Sequence, residues 1–225
     1  KLIPVTSHLE SAMRHINFKV ESEIIPNVIN LNIFTSERKA DSNTIQFLHV
    51  SHLDDNHKNI SGILRVWKEF AKEHSNVHLK IGGDGPVEKW KSFARQLEIP
   101  PRSISFFGTS SSKEIASIMH SSHAFVLFSN YENLPLVIIE AMACGLAVIS
   151  TDVGGCKEFL PLELGHFLIQ KKNESELKNA LEIAIENATK IDRKAISEFA
   201  KEHFSQEVIG KKLNQVYQSI LHDKI

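Results

Sequence analysis

The sequence has 225 residues, of which 42% are hydrophobic and 24% are charged, so it has the composition of a soluble globular protein of one large or two small domains. Its formal net charge of −1 and its pI near 6.9 give no electrostatic basis for binding nucleic acid or an anionic membrane surface. Its two cysteines indicate neither a disulfide framework nor a cysteine-based metal site, and without a signal peptide they predict reduced thiols in an intracellular protein.

The first 43 residues differ in character from the rest of the chain. A short apolar stretch at residues 2–6 leads into a predicted helix around residues 9–14, and residues 23–27 predict a strand that runs into a turn. Residues 35–43 are polar and have no periodicity, so we predict a linker there. Because the chain starts at Lys1 and not at Met, we expect it to be a piece of a longer protein.

From residue 44 onward, short apolar strands alternate with amphipathic helices. The predicted strands are residues 45–50, 77–81, 104–107, 123–128, 146–150 and 165–169. The predicted helices are residues 59–71, 87–97, 111–119, 134–144, 177–185, 193–203 and 206–221, and Ser111 and Glu114 form a capping box at the start of the third. Strands that alternate with helices in this way predict an α/β fold, a Rossmann-like parallel sheet with helices on both faces.

The helix at residues 134–144 contains a single charged residue, Glu140. Asn133 suits the N-cap, Pro135 suits the first turn and Gly145 suits the position after the last turn. The rest of the helix is apolar around most of its circumference, which predicts burial on more than one side. An ionised carboxylate there would cost several kcal/mol unless it were paired or hydrogen-bonded. Its partner must therefore be a distant residue or a ligand, and a diol could donate two hydrogen bonds to it.

Glu132 precedes this helix by a few residues and would lie at its N-terminal mouth, about 9 Å from Glu140 along the axis. The backbone N–H groups of Leu134 and Leu136 are expected to be free there, so the mouth could bind an anion. The alternative is that Glu132 is a solvated loop residue and that Glu140 is paired with a lysine or arginine elsewhere in the fold.

Ligands of such sheets bind beyond the carboxyl ends of the strands. The loop at residues 50–58 ends with Lys58 at a predicted helix start, where a cation is disfavoured unless an anion is also present; it could clamp a phosphate or be a solvated surface lysine. Glycines at residues 82–86 would allow close backbone approach or form only a tight turn. Residues 107–109 would bring main-chain groups near the base of a ligand.

Taken together, these segments resemble one known family, the retaining GT-B glycosyltransferases of family 4, often labelled group 1. The resemblance covers nearly all of residues 22–222 in the order and spacing of the family. Its most specific element is Glu132-x7-Glu140 running into residues 141–145. The other matching segments are residues 25–27, 50–58, 82–86, 106–108 and 151–155.

The resemblance implies a binding site for a nucleoside-diphosphate sugar. Glu140 is similar to the glutamate that accepts hydrogen bonds from the nucleotide ribose, and Glu132 to the catalytic glutamate near the transferred sugar. Lys58 is similar to the lysine that neutralises the departing diphosphate. Asn133, Leu134, Pro135 and Leu136 should meet the sugar and the distal phosphate, and the remaining donor-binding residues would be His52, Gly83, Phe107 and Gly108. The resemblance implies no metal and no cofactor other than the donor sugar.

The sequence departs from the family pattern in two ways. His52 stands where the family usually has arginine, so a phosphate contact there should weaken as rising pH removes the imidazole proton. The acceptor-binding N-terminal domain is also nearly absent. We therefore predict a tail of that domain at residues 1–34, a linker at residues 35–43, a nucleotide-sugar-binding domain at residues 44–205, and at residues 206–225 a helix that would pack back on the missing domain with an exposed apolar stripe.

The predicted function is donor binding by the C-terminal domain of a retaining glycosyltransferase, whose parent enzyme transfers a sugar to a hydroxyl acceptor. We expect this piece alone to be inactive. The alternatives are a nucleotide-sugar epimerase of the same architecture and a non-catalytic nucleotide-binding domain whose carboxylates are paired internally. By analogy the acceptor would be a carbohydrate or a lipid-linked molecule in polysaccharide biosynthesis, and the parent enzyme would be cytoplasmic, with peripheral attachment at the cytoplasmic face of a membrane.

Overall fold

The structure, a computed structural model, describes residues 1–18, 20–37 and 43–222. The described residues form helices and strands that alternate along most of the chain. The helices are α1 (Ser7–His15), α2 (Asp55–Lys58), α3 (Ile60–Glu73), α4 (Val87–Gln96), α5 (Ser112–His120), α6 (Leu136–Ala143), α7 (Glu174–Asn187), α8 (Arg193–Phe204) and α9 (Gln206–His222). The strands are β1 (Ile45–His52), β2 (Val77–Asp84), β3 (Ile104–Phe107), β4 (Ala124–Leu127), β5 (Ala147–Thr151) and β6 (Phe167–Ile169).

These strands form one parallel sheet in the order β3-β2-β1-β4-β5-β6, which confirms the predicted Rossmann-like α/β fold. The chain adds β2 and β3 on one side of β1 and then returns to add β4, β5 and β6 on the other side. Strand order therefore reverses between β1 and β4. In a doubly wound sheet this reversal opens a crevice at the carboxyl ends of the two strands.

Apolar side chains on alternate strand positions fill a core on each face of the sheet. Phe47 and Val126 pack with helices α3, α4 and α7 on one face. Their chain neighbours Leu48 and Phe125 pack with helices α5, α6 and α8 on the other. All four side chains are buried. This two-sided burial explains why β4 is apolar at every position and why every residue of β4 and β5 is buried.

Helix α6 is fixed at its C-terminal end by α8. The carbonyl oxygen of Ala143 accepts a hydrogen bond from Ser197 Oγ at 2.8 Å, and that of Cys144 accepts one from Arg193 Nη2 at 3.0 Å. Gly145 follows the helix end, as predicted, and its φ of 74° is the left-handed conformation that favours glycine there. With its carbonyl end anchored in this way, α6 presents its N-terminal end to the crevice.

The prediction that Asn133 caps α6 is wrong, because the helix begins at Leu136 with Pro135 at the N-cap. The side chain of Asn133 is bound elsewhere: its Oδ1 accepts a hydrogen bond from Thr6 Oγ1 at 2.9 Å. Its carbonyl oxygen accepts another from the N–H of Gly155 at 2.8 Å. These two contacts keep Asn133 in the loop and delay the first helical turn.

The N-terminal segment contains helix α1, as predicted, but no regular strand at residues 23–27. That stretch is extended and forms only two backbone hydrogen bonds with the chain start, from Glu23 N to Leu2 O and from Ile25 N to Pro4 O, each 3.0 Å long. Two bonds are too few for a ladder, so the predicted strand is wrong. Most of the predicted linker, residues 38–42, lies outside the described residues.

The N-terminal segment covers much of the apolar face of helix α9. Ile209 and Val216 are buried against Ile25. Tyr217 and Leu221, by contrast, are each 59% exposed. The predicted exposed stripe is therefore present only in part.

Candidate functional site

The candidate site is a cleft of about 310 Å³ between the loops that follow β1 and β4. The backbone N–H of Asn130 donates to His57 O at 2.7 Å, and its side-chain Nδ2 donates to Asn56 O at 3.1 Å, so the two loops are bound to each other. Three of the predicted charged residues, Lys58, Glu132 and Glu140, line this cleft. The strand-order reversal thus brings together residues that are far apart in the sequence.

Glu140 contributes a largely buried carboxylate to the wall of the cleft. Across the described residues, no hydrogen bond and no ion pair is made by this carboxylate. Loss of hydration by burial raises the pKa of Glu140 to about 7. The alternative of an internal cation paired with Glu140 therefore does not hold for the described chain. Its carboxylate is available to a ligand that donates hydrogen bonds.

Glu132 is buried and ion-paired, so the alternative of a solvated loop residue is also wrong. Its Oε1 lies 2.5 Å from the ammonium of Lys58 and accepts a hydrogen bond from Ser129 Oγ at 2.6 Å. Only 7% of the Glu132 side chain and 11% of the Lys58 side chain are exposed. Thr151 Oγ1 in turn donates to Ser129 O at 2.7 Å. The charges of Lys58 and Glu132 therefore offset each other within the cleft.

The sequence predicted Lys58 at the start of a helix, and this prediction is wrong. Lys58 is the last residue of the single-turn helix α2. Asn59 follows with φ 51° and ψ 47°, and this left-handed residue separates α2 from α3. Lysine at a helix C-terminus is favoured by the helix dipole, so this residue does not need an anion to explain its place in the chain. What points to a ligand is its place in the lining of the cleft, where it meets Glu132.

The N-terminal end of α6 forms another part of the cleft wall, through Pro135, Leu136 and Val137. In the described part of the chain, the backbone N–H groups of Leu134, Leu136 and Val137 have no hydrogen-bond partner. Unpaired N–H groups at a helix N-terminus favour an anion. Asn133 and Leu134 lie behind this wall, and Asn27 Nδ2 donates to Leu134 O at 3.2 Å.

Ser51 is a residue of the cleft that the sequence analysis missed. The buried His49 contacts Val126 O through Nδ1 at 2.8 Å and Ser51 Oγ through Nε2 at 2.7 Å. Burial lowers the pKa of His49 to about 4, so the ring is neutral at pH 7. Because a carbonyl only accepts, Nδ1 carries the ring proton and Ser51 must donate to Nε2. Ser51 therefore offers the ligand an acceptor.

Two further serines line the cleft: Ser110, in the loop after β3, and Ser112, the first residue of α5. The sequence analysis did not assign them to the site. The only feature of the sequence that could have indicated them is their position after a predicted strand, beside the capping box of Ser111 and Glu114. The structure has that box as predicted, with both of its hydrogen bonds.

Five predicted donor-binding residues lie outside the lining of the cleft: Asn133, Leu134, Gly83, Phe107 and Gly108. Gly83 is not in a turn, because β2 continues to Asp84 and pairs Gly83 with Ser51. A Cβ on Gly83 would lie 1.9 Å from Ser51 O, and its φ of 128° also requires glycine. Gly83 thus allows β1 and β2 to approach closely. The roles of these residues in donor binding stay predictions.

His52 lines the edge of the cleft and is exposed, with its ring centre 5.7 Å from that of His57. Asp54 lies 3.0 Å from Nδ1 of His57. One ligand atom from each of these three residues falls within 4.8 Å of the others, as also occurs at Glu73, His74 and Glu182. These groupings could hold a metal ion by geometry alone, so metal independence stays a prediction.

Both cysteines are buried and have free thiols. Burial raises the pKa of the Cys144 and Cys156 thiols to about 12 each, so they are protonated at pH 7. Within residues 1–18, 20–37 and 43–222, no helix has the length and apolar character needed to span a membrane.

Comparison with known proteins shows one consistent family. The sequence model of the family "Glycosyl transferases group 1" matches residues 33–203. An uncharacterized glycosyltransferase of Haemophilus influenzae is 33% identical over 151 residues, which are 66% of this chain and 41% of that protein.

Solved structures of GT-B glycosyltransferases have the same fold. Sucrose-phosphate synthase from Thermosynechococcus elongatus superposes with a TM-score of 0.84 at 21% identity, over 98% of this chain and 58% of that one. Anabaena HepE, solved in complex with UDP-glucose, superposes with a TM-score of 0.80 at 19% identity, over 96% of this chain and 63% of HepE. This chain spans only about two fifths of the length of the curated relatives that it matches.

Proposed function

The chain belongs to the group 1 glycosyl transferases, and we propose that its cleft binds the nucleoside-diphosphate sugar of a retaining sugar transfer. The observation that carries the proposal is the unpaired carboxylate of Glu140 in the cleft wall. A largely buried carboxylate that has lost hydration without gaining a protein partner favours a ligand that supplies donors. The complex of Anabaena HepE with UDP-glucose supports this class of ligand.

Glu140 would accept hydrogen bonds from the two hydroxyl groups of the ribose. A cis-diol can donate one hydrogen bond to each carboxylate oxygen, and bonds to an ionised acceptor are about twice as strong as neutral ones. The ionised form of Glu140 is the better acceptor. Ligand binding should therefore lower its pKa from about 7 and release a proton.

Lys58 and the N-terminal end of α6 would bind the diphosphate. In the free protein Lys58 is held by Glu132 at 2.5 Å. A diphosphate that enters the cleft offers Lys58 more negative charge than Glu132 does, and the unpaired N–H groups of Leu136 and Val137 favour the same anion. As the bond to the sugar breaks, charge develops on the diphosphate, where these groups can stabilise it.

Glu132 would act at the transferred sugar, next to the position that Lys58 leaves free when it turns to the phosphate. We propose that no metal takes part, since an ammonium group and a helix N-terminus already supply positive potential at the cleft. The internal pair of Glu132 and Lys58 is what a non-catalytic nucleotide-binding domain would also contain. The ribose contact proposed for Glu140 would serve either function, so sugar transfer by the longer protein is what separates them.

The rest of the longer protein would bind the acceptor. We propose that this chain is the donor-binding C-terminal half of a GT-B enzyme and that it is inactive in transfer on its own. The acceptor would be a carbohydrate or lipid-linked hydroxyl compound of polysaccharide biosynthesis. It would be reached at the cytoplasmic face of a membrane, by analogy with the family.

The proposal is tested by isothermal titration of the chain with UDP-, GDP-, ADP- and dTDP-sugars in the presence of EDTA. We expect one of these donors to bind and Glu140→Ala to weaken its binding at least tenfold. Glu186→Ala, which removes an exposed glutamate on α7, is the matched control and should have no effect. Binding that is equal in wild type and Glu140→Ala, or no binding of any donor, would contradict the proposal.

A further inference from the structure

The N-terminal segment contacts the loop before α6 through a buried threonine. Thr6 is fully buried, and its Oγ1 accepts a hydrogen bond from Leu9 N at 3.0 Å as the N-cap of α1. The hydroxyl has a single hydrogen, and it donates this to Asn133 Oδ1 at 2.9 Å. Thr6 lies outside residues 33–203, the part of the chain that the family model matches. A residue beyond the matched region therefore bonds directly to the loop whose residues Glu132 and Pro135 line the cleft.

Residues 132–135, here called the donor loop, are held from two sides. On one side Asn27 Nδ2, also from the N-terminal segment, donates to Leu134 O at 3.2 Å. On the other side Gly155, which follows β5, donates its N–H to Asn133 O at 2.8 Å. A Cβ on Gly155 would lie only 2.2 Å from Thr6 Cγ2. The N-terminal segment, the donor loop and the loop after β5 thus pack without free space between them.

Helix α1 is itself bound to the loop after β5. The two carboxylate oxygens of Glu158 accept hydrogen bonds from the N–H groups of Ser7 at 2.8 Å and of His8 at 2.9 Å. This carboxylate satisfies two of the N–H groups that every helix leaves unpaired at its start. Because Thr6 precedes these residues directly, Glu158 fixes the position from which Thr6 reaches Asn133.

We infer that Thr6 is a positioning residue for the sugar and distal-phosphate half of the donor site. By binding Asn133 it holds the donor loop, and the donor loop sets where the unpaired N–H groups of Leu136 and Val137 stand in the cleft. Glu140 enters the cleft from a later turn of α6 and does not depend on this bond. The inference rests on the proposed function and adds residues of the N-terminal segment to the donor site.

The test compares two ligands in two variants of Thr6. Thr6→Val keeps the shape of the side chain and removes the hydroxyl, whereas Thr6→Ser keeps the hydroxyl. For the nucleoside-diphosphate sugar that binds wild type best, we expect Thr6→Val to weaken binding about fivefold, the effect of one hydrogen bond. Binding of the matching nucleoside monophosphate should change less than twofold. Thr6→Ser should restore both affinities.

The control is Asn173→Ala, which removes an N-cap of the same kind from α7, away from the cleft. It should leave the ratio of the two affinities unchanged. If Thr6→Val weakens the binding of the sugar nucleotide and of the monophosphate equally, or changes neither, the inference is wrong. If Thr6→Val does not fold, Glu158→Gln loosens the docking of α1 in its place and should weaken the sugar nucleotide selectively.

A second measurement needs no ligand and so separates this inference from the proposed function. Amide hydrogen exchange in the free protein should be about fivefold faster at Gly155 in Thr6→Val, because its acceptor Asn133 is no longer held. In Asn173→Ala the exchange of Gly155 should not change. Failure of wild type to bind any donor would contradict the proposed function, whereas unchanged exchange at Gly155 would contradict the positioning role of Thr6.

Discussion

The carboxylate of Glu132 and the ammonium of Lys58 form an ion pair at 2.5 Å, although 74 residues separate them in the chain. The pair joins the loop after β1 to the loop after β4, across the point where strand order reverses. Both side chains are almost removed from solvent, and Ser129 supplies a further hydrogen bond to the carboxylate. A phosphate bound as we propose would compete with Glu132 for Lys58.

This competition predicts that Glu132→Gln binds nucleoside diphosphate more tightly than wild type, by about tenfold. The variant leaves Lys58 without its carboxylate partner, so the ammonium can bind the phosphate at no loss of an internal pair. Calorimetric titration with the diphosphate measures the change. Glu186→Gln, on the exposed face of α7, should bind as wild type does. Weaker binding by Glu132→Gln would show that the pair does not oppose the phosphate.

Removal of the cation should destabilise the fold. Lys58→Met leaves the Glu132 carboxylate buried and unpaired, and such a loss typically costs about 3 to 5 kcal/mol. The double variant Lys58→Met/Glu132→Gln should recover most of that loss, since no unpaired charge remains. Urea unfolding at pH 7.5 gives the free energies. A single variant as stable as wild type would mean that Glu132 finds solvent or another donor.

The pKa of Glu140 predicts how stability depends on pH. Because burial raises this pKa to about 7 in the folded state, against 4.5 for the ordinary value, folding favours the protonated form. The stabilisation is complete below pH 4.5 and is lost as pH rises through 7. A glutamine at this position cannot ionise, so Glu140→Gln does not lose this stabilisation. Between pH 5 and pH 8 its free energy of unfolding should therefore rise by up to about 3 kcal/mol relative to that of wild type. Urea unfolding at the two pH values checks the gain; a difference that does not grow with pH contradicts it.

A glycine beside the donor loop should tolerate no side chain. Gly154 has a φ of 58°, and a Cβ there would lie 2.0 Å from Glu132 O. We expect Gly154→Ala to lower the free energy of unfolding by at least about 1 kcal/mol, through backbone strain and displacement of the loop. Gly210→Ala is the matched control, because its Cβ would have no atom within 4 Å and α9 gains helix propensity. In thermal unfolding, Gly210→Ala should therefore have a higher melting temperature than wild type and Gly154→Ala a lower one. The reverse order would be inconsistent with the packing of this loop.

The sheet and its helices could be predicted from the sequence because they depend on local periodicity, and the isolation of Glu140 among apolar residues of α6 could be read in the same way. The apolar runs of β4 and β5 and the single acid of α6 are visible within a few residues of each other. The capping box at Ser111 and the place of Gly145 just after the helix are equally local, and both are confirmed.

The contacts between distant residues could not be predicted. Asn133 has the residue type of an N-cap, but Thr6 binds its side chain from 127 residues away, and the helix starts later. Lys58 was placed at a helix start by the order of residues alone, whereas the left-handed Asn59 makes it a helix end. Its pairing with Glu132 appears only once the strands are ordered. Helical periodicity in the sequence does not contain that information.

The central claim is that Glu140 receives the ribose of a nucleotide, and one calorimetric comparison tests it most directly. The chain and its Glu140→Ala variant are titrated with the preferred nucleoside diphosphate and with its 2′-deoxy form. Wild type should bind the ribonucleotide about tenfold more tightly, the effect of one hydrogen bond to a charged acceptor, and Glu140→Ala should bind the two forms equally. A preference for ribose that persists in Glu140→Ala would contradict the claim.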